Sequence, residues 1–188
     1  MKLCMIGSGY VGLVSGTCFA DIGNQVYCVD KDKSKIDKLN SGVSPIYEPG
    51  LDELIKKNYN ANRLIFTTDI RKAINSSDLI FICVGTPVKK GSLKVDLSFV
   101  YKCVREILRH TKKKKIIITK STVPVGTGDE IEKIIKKKKK LFSVISNPEF
   151  LREGEAIRDF RYPDRIVIGS DNKNEFKTMR KLYSPLIN

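Results

Sequence analysis

A glycine-rich motif close to the N-terminus constrains the fold of this chain of 188 residues more than any other feature of its sequence. Apolar residues 3–6 predict a buried strand, the motif GSGYVG follows at residues 7–12, and the next segment has helical character. In a strand–turn–helix unit, Gly7 permits the tight turn, Gly9 lets the backbone approach a phosphate, and Gly12 lets the helix pack closely on the strand. The motif therefore predicts a helix N-terminus that binds phosphate; the alternative is that the glycines serve an ordinary turn.

A carboxylate at the end of the next predicted strand makes the motif more specific. Residues 25–29 predict that strand and Asp30 follows it, close to the offset of ~20 residues expected for a carboxylate that binds an adenosine ribose. A 2′-phosphate at ~4 Å from Asp30 would cost about 1 kcal/mol in water and about 4 kcal/mol at an effective dielectric constant of ~20. Lys31, Lys33 and Lys35 soften this repulsion. We therefore predict a dinucleotide site that prefers NAD to NADP.

Short apolar runs alternate with segments of helical spacing along the rest of the chain. Further strands are predicted at residues 64–68, 79–84, 116–119, 142–146 and 165–168. The run 79–84 contains no polar residue, which is typical of a strand covered on both faces. The alternation predicts one α/β domain over residues 1–188, with a doubly wound, mostly parallel, Rossmann-like sheet.

Most of the predicted strands end in small, hydroxyl-bearing or acidic residues next to glycine or proline. Besides the glycine motif and Asp30, these ends are Gly85-Thr86-Pro87, Ser121-Thr122-Val123-Pro124 and Asn147-Pro148-Glu149. Ligands of open parallel sheets bind outside the carboxyl ends of the strands. We therefore expect one shared cleft at this edge of the sheet.

Composition and cysteine usage are those of an ordinary globular protein, with 41% hydrophobic and 30% charged residues. No run of ~18 apolar residues occurs and the N-terminus enters a strand directly, so we expect no membrane span, no secretory signal and a cytoplasmic location. No two cysteines form a CxxC pair, and all lie in strand-like or helix-like segments, which predicts buried thiols rather than disulfides or a metal site. They are Cys4, Cys18, Cys28, Cys83 and Cys103.

The formal net charge of +14 is concentrated in part in two lysine runs, 112–115 and 136–140. One interpretation is a surface that binds nucleic acid or another polyanion. The other is that both runs follow helix C-termini, where cations suit the helix dipole and point into water. Aromatic residues do not interleave with the runs and no recognised nucleic-acid-binding motif accompanies them, which favours the second interpretation.

Six longer motifs occur in an order and at spacings that resemble one enzyme family over the whole chain. They are MKLCMIGSGYVGLVSG, SPIYEPGL, VGTP, STVPVGT, NPEFLREG and PDRIVIG. The sequence resembles the UDP-glucose/GDP-mannose dehydrogenase family, and most closely its bacterial UDP-glucose 6-dehydrogenases. The resemblance implies NAD as cofactor and a nucleotide sugar, UDP-glucose, as substrate, whose C6 alcohol is oxidised to a carboxylate in two steps to give UDP-glucuronate for polysaccharide synthesis.

The resemblance also implies roles for individual residues. The cofactor contacts would be Gly7, Gly9, Tyr10, Val11, Gly12, Asp30, Lys35, Thr86, Ser121, Thr122 and Glu153. Tyr10 and Val11 would act through their backbone at the pyrophosphate, and Asp30 and Lys35 at the adenosine ribose. Taken without the resemblance, Lys35 is better interpreted as a solvated helix lysine.

On the substrate side, the resemblance implies that Thr122 orders a water molecule and that Glu149 acts as general acid/base during thioester hydrolysis. The residues that would line the nucleotide-sugar site are Glu149, Phe150, Leu151, Arg152 and Glu153. Two alternatives remain open, namely that the Thr122 hydroxyl bonds its own turn and that Glu149 is a surface carboxylate.

The cysteine nucleophile of the family has no counterpart in this chain. Residues 16–21, GTCFAD, look superficially like the family's cysteine loop, but they lie within the predicted helix after Gly12 and lack the proline and lysine of that loop. Cys18 is therefore predicted to be a core thiol. We interpret the chain as the N-terminal NAD-binding domain without the central and C-terminal domains, and expect weak NAD binding and no full dehydrogenase activity.

Alternatives remain for the substrate and for the functional class of the chain. Relatives that oxidise GDP-mannose or UDP-N-acetylmannosamine share the family's motifs, although residues 123–127 and 147–151 favour UDP-glucose. A non-catalytic module that binds NAD or nucleic acid is the alternative from another functional class. The full-length protein is expected to be a homodimer through parts outside this chain.

Overall fold

A computed structural model describes residues 1–89, 91, 92 and 94–187 and contains one sheet of six strands. The strands are β1 (Lys2–Ile6), β2 (Gln25–Val29), β3 (Leu64–Thr67), β4 (Leu79–Ile82), β5 (Lys115–Thr119) and β6 (Phe142–Ser146). All neighbouring strands are parallel, in the order β3-β2-β1-β4-β5-β6. This is a doubly wound order that reverses direction between β1 and β4, which confirms the predicted fold class.

Helices cover both faces of the sheet. They are α1 (Tyr10–Asp21), α2 (Lys33–Asn40), α3 (Leu51–Asn60), α4 (Ile70–Ser76), α5 (Ser98–His110), α6 (Thr127–Ile135), α7 (Ala156–Arg161) and α8 (Lys173–Tyr183). Helices α1, α2, α3, α7 and α8 pack on what we call the first face, and α4, α5 and α6 on the second face. The segments of helical spacing in the sequence form these helices, except α7, which no such spacing predicted. No helix in the described part of the chain is both long and apolar enough to cross a membrane.

The sheet separates two hydrophobic cores, because successive strand residues point to opposite faces. In β1, for example, Leu3 and Met5 belong to the core of the first face, whereas Cys4 and Ile6 belong to the core of the second face. Both sets are apolar because helices cover both faces. All five cysteines are free and buried in these cores, which confirms the prediction that they serve as small apolar side chains.

Phe19 in α1 organises the core of the first face. Its ring centroid lies 5.4 Å from that of Phe81 in β4, 4.9 Å from that of Phe160 in α7 and 5.4 Å from that of Tyr183 in α8. Tilted and edge-on aromatic pairs at these distances are favourable. This cluster joins the first helix of the chain to the last two.

The predicted strand at residues 165–168 is wrong. The structure has only an isolated antiparallel bridge between Ser146 and Gly169, closed by two backbone hydrogen bonds of 2.9 and 2.8 Å. The Asn147 side-chain amide donates to the Val167 carbonyl at 2.8 Å. The Asn147 side chain therefore binds this segment, where backbone hydrogen bonds of a strand were expected. The alternating pattern of residues 165–168 arises because Ile166 and Ile168 pack on the core.

The two lysine runs are exposed with one exception. Residues 112–114 follow α5, and residues 136–140 follow α6, and all of them are exposed, as expected for cations after helix C-termini. Lys115 contradicts that expectation, because it belongs to β5, is 2% exposed, and donates from Nζ to the Ser77 carbonyl. Burial lowers the pKa of its ammonium group.

Candidate cofactor and substrate site

The three glycines of the GSGYVG motif differ in how much space surrounds them. Gly7 has φ +103°, and a Cβ there would lie 2.7 Å from the Cys83 carbonyl oxygen. A Cβ on Gly12 would lie 1.8 Å from the Gly7 carbonyl oxygen. A Cβ on Gly9 would have no heavy atom within 4 Å. Gly7 and Gly12 are therefore required by packing, whereas Gly9 faces open space where a ligand can approach.

The motif leaves the N-terminus of α1 open. The first hydrogen bond of the helix runs from Leu13 N to Gly9 O at 2.9 Å, so the N–H groups of Tyr10, Val11 and Gly12 precede the intrahelical ladder. Gly9 occupies the N-cap position and provides no side-chain cap. Free N–H groups and the positive end of the helix dipole together form a suitable site for a phosphate.

Asp30 places a negative charge beside this helix terminus. Its carboxylate accepts from Ser8 N at 3.0 Å, from Asp32 N at 3.1 Å and from Lys35 Nζ at 2.8 Å. Burial opposes ionisation of Asp30, but these hydrogen bonds outweigh it and hold the pKa of Asp30 below its usual value. Asp30 and Lys35, which the sequence placed together at a ribose, thus form one ion pair at the end of β2.

The glycine motif and Asp30 open into a mostly apolar cleft of about 850 Å³ on the second face. Gly7, Gly9, Asp30, Lys35, Thr86 and Phe99 are among the residues that line it. This volume lies within the usual range for ligand pockets. Donors for a pyrophosphate, a carboxylate for ribose hydroxyls and apolar walls for flat rings all fit a dinucleotide, and the charge of Asp30 disfavours a 2′-phosphate.

The ends of β4 and β5 are joined by hydroxyl groups. Thr86 Oγ1 donates to the Thr122 carbonyl at 2.9 Å. The Ser121 hydroxyl is buried and lies 2.7 Å from the Val84 carbonyl oxygen and 3.2 Å from that of Ile82. The Thr122 side chain is exposed. The structure thus brings Thr86 and Thr122 together, whereas the Ser121 hydroxyl has backbone partners.

Residues 149–152 line a second cavity, of about 550 Å³, next to the end of β6. Glu149 Oε2 accepts from Leu151 N at 2.6 Å, which holds the segment in a tight turn. Arg152 pairs with Asp159 at 2.6 Å, and the Arg165 guanidinium lies 4.9 Å from the centre of the Phe150 ring. Glu153 is exposed.

The strand ends therefore open into two cavities, whereas one shared cleft was expected. The 850 Å³ cleft borders residues of α4 and α5 on the second face. The 550 Å³ cavity borders Phe160 of α7 and Tyr183 of α8 on the first face. Neighbouring strand-end residues point to opposite faces of the sheet, so a common edge does not produce a common cavity.

Lys120 is a residue of the second cavity that the sequence did not single out. It is 4% exposed, and its Nζ lies 3.4 Å from Asn147 Oδ1 and 3.3 Å from the Tyr183 hydroxyl oxygen. Tyr183 donates to the same Asn147 oxygen at 2.6 Å. The only local signal is a lysine that directly follows the apolar run of β5. Glu48 was missed as well, because it lies in a proline-rich loop whose partners are distant in sequence.

Comparison with known proteins identifies the family. Residues 1–187 match the family model described as "UDP-glucose/GDP-mannose dehydrogenase family, NAD binding domain". A UDP-glucose 6-dehydrogenase of Rhizobium meliloti is 53% identical over 99% of this chain and 44% of its own length. One of Bacillus subtilis is 51% identical over 98% of this chain and 40% of its own length. The chain thus spans less than half of these curated relatives.

Solved structures give the same result. A GDP-mannose dehydrogenase of Pseudomonas aeruginosa superposes with a TM-score of 0.93 at 39% identity, covering 100% of this chain and 45% of that one. A UDP-glucose dehydrogenase of Pyrobaculum islandicum superposes with a TM-score of 0.91 at 36% identity, covering 98% of this chain and 44% of that one. The chain therefore belongs to the UDP-glucose/GDP-mannose dehydrogenase family, whose NAD binding domain it matches.

Proposed function

We propose that residues 1–188 form the NAD-binding domain of an enzyme that oxidises UDP-glucose to UDP-glucuronate in two NAD-dependent steps. The observation that carries the cofactor part is the uncapped N-terminus of α1 beside Asp30, which opens into the 850 Å³ cleft. The substrate part is supported by the two curated relatives above, both called UDP-glucose 6-dehydrogenase, at 53% and 51% identity.

In this proposal the residues of this chain bind the cofactor and orient it. Bound NAD would supply the hydride acceptor for each oxidation. The N–H groups of Tyr10 and Val11 bind the pyrophosphate, as helix N-termini do. Asp30, with Lys35 as its ion partner, accepts hydrogen bonds from the adenosine ribose. Thr86 lines the same cleft, and Ser121 holds the loop after β5 in place through its backbone partners.

The substrate would lie along residues 149–153, at the neighbouring strand end. Thr122, whose side chain is exposed at the end of β5, orders a water molecule, and Glu149 moves a proton to and from it. The hydrogen bond from Leu151 N to Glu149 Oε2 at 2.6 Å keeps the Glu149 carboxylate at the rim of the cavity. Glu153 extends the segment towards the nicotinamide end of the cofactor.

Other members of the family remain as a second candidate. The GDP-mannose dehydrogenase named above superposes with the higher TM-score of the two solved structures, so the fold does not separate the two substrates. We further propose that the protein acts in the cytoplasm, and that the whole protein forms a homodimer through parts outside this chain.

The cofactor part is tested by calorimetric titration of the chain with NAD and with NADP. Asp30→Ala should weaken NAD binding by about 10- to 150-fold, because a hydrogen bond to a charged group contributes about 1.5–3 kcal/mol. Asp37→Ala is the matched control, since Asp37 is exposed and pairs only with exposed Lys33 among the described residues. NAD should bind more tightly than NADP. Equal affinity for both cofactors, or an unaltered NAD affinity in Asp30→Ala, would contradict the proposal.

The substrate part is tested by the same titration with UDP-glucose and with GDP-mannose. Tighter binding of UDP-glucose is the expected result. Tighter binding of GDP-mannose would favour the second candidate.

A further inference from the structure

Glu48 is a buried carboxylate in the motif SPIYEPGL, to which the proposed function gives no role. The residue is 6% exposed. Its Oε2 accepts from the Tyr10 hydroxyl and from Gly154 N at 2.8 Å, and its Oε1 accepts from Ile157 N at 3.2 Å. Gly154 N also lies 2.7 Å from the Tyr10 hydroxyl oxygen. One carboxylate thus binds residues from two distant parts of the chain.

A carboxylate in such a place is costly unless donors replace its water. Burial of an unpaired charge is strongly unfavourable, and no lysine or arginine nitrogen of the described residues lies within 4.0 Å of Glu48. The two backbone N–H groups and the phenol are therefore the contacts that offset the cost of burying the Glu48 carboxylate. Hydrogen bonds to an ionised acceptor are about twice as strong as neutral ones, so these contacts hold Gly154 and Ile157 firmly.

The residues that Glu48 joins belong to the two halves of the candidate site. Tyr10 is the first residue of α1 and directly follows Gly9, which lines the cofactor cleft. Gly154 directly follows residues 149–153, the candidate nucleotide-sugar segment, and has φ +87°. Burial and the hydrogen bond to Glu48 raise the pKa of Tyr10 to about 12. The phenol therefore keeps its proton, and its donation to Glu48, throughout the neutral range.

We propose that Glu48 is a positioning residue of the reaction proposed above, which holds residues 149–154 against the start of α1 in the conformation that binds the nucleotide sugar. The proposal rests on the proposed function of that segment. Glu48 itself lines neither the 850 Å³ cleft nor the 550 Å³ cavity. It acts by fixing the backbone of Gly154, so its loss should impair the sugar segment and leave the phosphate-binding N–H groups of α1 in place.

The test compares Glu48→Gln with the wild-type chain. The carboxamide keeps the shape of the side chain, but its amino group cannot accept the hydrogen bond of a backbone N–H. The carboxamide keeps one oxygen, and Gly154 N and Ile157 N donate to different oxygens of Glu48, so one of these two N–H groups loses its acceptor. We expect its amide exchange, followed by NMR, to accelerate by about tenfold or more, as for a buried donor that loses its acceptor. UDP-glucose affinity should fall by about tenfold, while NAD affinity stays unchanged within error.

Two further variants make the test specific. Tyr10→Phe keeps the ring and removes the hydroxyl, so it should show a smaller change of the same kind, and it replaces Glu48→Gln if that variant does not fold. Glu53→Gln makes the same substitution at an exposed position of α3 and should match the wild type in every measurement.

Three outcomes would overturn the positioning role. They are unaltered exchange at both Gly154 and Ile157, accelerated exchange with unaltered UDP-glucose affinity, and an equal loss of NAD and UDP-glucose affinity, which would indicate a general structural role. If the wild-type chain does not bind UDP-glucose, the proposed substrate fails and the positioning role fails with it. Amide exchange would still show whether Glu48 holds the segment, so the two failures are distinguishable.

Discussion

Gly7 and Gly12 contact each other across the turn between β1 and α1, and this contact sets the angle at which the helix leaves the strand. The Gly7 carbonyl oxygen occupies the space that a Gly12 side chain would need. Gly9 lies between them with open space beside it. At the scale of single residues, two glycines thus serve the fold, and the third leaves room for a ligand.

A pair of substitutions separates these roles. Gly12→Ala should destabilise the chain by about 3 kcal/mol or more, because its Cβ would lie 1.8 Å from a backbone oxygen. Gly9→Ala should change the free energy of unfolding by less than about 0.5 kcal/mol, yet weaken NAD binding, because the new methyl group occupies the phosphate's approach. Urea unfolding and NAD titration measure the two effects.

Gly128→Ala is the control for this pair, since Gly128 lies in α6 and a methyl group added there would have no heavy atom within 4 Å. It should bind NAD like the wild type. A Gly9→Ala variant with unaltered NAD affinity would show that the phosphate does not approach the backbone at Gly9.

At the scale of helices, Asp21 joins three elements at one point. It is the last residue of α1, and its carboxylate accepts from Lys57 Nζ at 2.7 Å and Asn58 Nδ2 at 3.2 Å, both in α3, and from Arg161 Nη2 at 2.9 Å in α7. Burial of Asp21 opposes ionisation, but these donors outweigh it and lower its pKa below the usual value. Helix α7, which the sequence did not predict, is thereby anchored to α1.

Asp21→Asn should therefore reduce the free energy of unfolding at pH 7 by about 1 kcal/mol, since the cations are partly exposed and solvent screens them. A carboxyl with a lowered folded-state pKa stabilises the fold above its unfolded-state pKa and loses that effect as the pH falls through the folded-state pKa. The difference in the free energy of unfolding between the wild type and Asp21→Asn should shrink below about pH 3.9. Urea unfolding over a pH series measures it.

Asp37→Asn provides the comparison, because the Asp37–Lys33 pair has side chains that are 59% and 81% exposed. Its effect should stay below about 0.5 kcal/mol at every pH. If the two variants behave alike, the junction of α1, α3 and α7 does not depend on the charge of Asp21.

At the scale of the whole molecule, no cysteine of this chain is suited to act as a nucleophile. All five are buried, and burial raises the pKa of Cys18 and Cys83 to about 12 and that of Cys103 to about 11. The thiolate is the reactive form, so almost none is present at neutral pH. Cys18 in α1 is a core thiol, as its position in the predicted helix indicated.

We therefore expect the folded chain to react with a thiol reagent at pH 8 at least about 100-fold more slowly than the same chain in denaturant, where all five thiols should react. The isolated chain should also show no sustained UDP-glucose oxidation with NAD. Rapid labelling of one thiol in the folded chain, or robust turnover, would contradict this expectation. Tryptic mapping of the labelled product would identify the thiol.

The lysine runs lie at the opposite edge of the molecule from the cofactor cleft. Residues 112–114 precede β5 and residues 136–140 precede β6, so both runs are at the amino ends of parallel strands. The glycine motif and Asp30 follow the carboxyl ends of β1 and β2. The two lysine runs thus have no direct part in the candidate site, and a nucleic-acid-binding role that used them would have to use this separate edge.

The sequence by itself determined the six strands of the sheet, the doubly wound fold class and the choice of cofactor. These features depend on local patterns, namely apolar runs of strand length, helical spacing and glycines whose backbone conformation other residues do not tolerate. Asp30 could be predicted as a ribose-binding residue because such a carboxylate stands at a fixed offset within one βαβ unit.

Only the tertiary structure decided which distant residues meet. Glu48 contacts Gly154 across 106 positions, and the Tyr10 hydroxyl contacts Gly154 across 144, and no local pattern encodes such contacts. Burial of Lys115 and Lys120 depends in the same way on what packs over them. The segment 165–168 has the pattern of a strand, but a hydrogen bond from Asn147 holds it out of the sheet. Local sequence patterns determine the strands and helices, whereas packing between distant segments determines which of their residues come into contact.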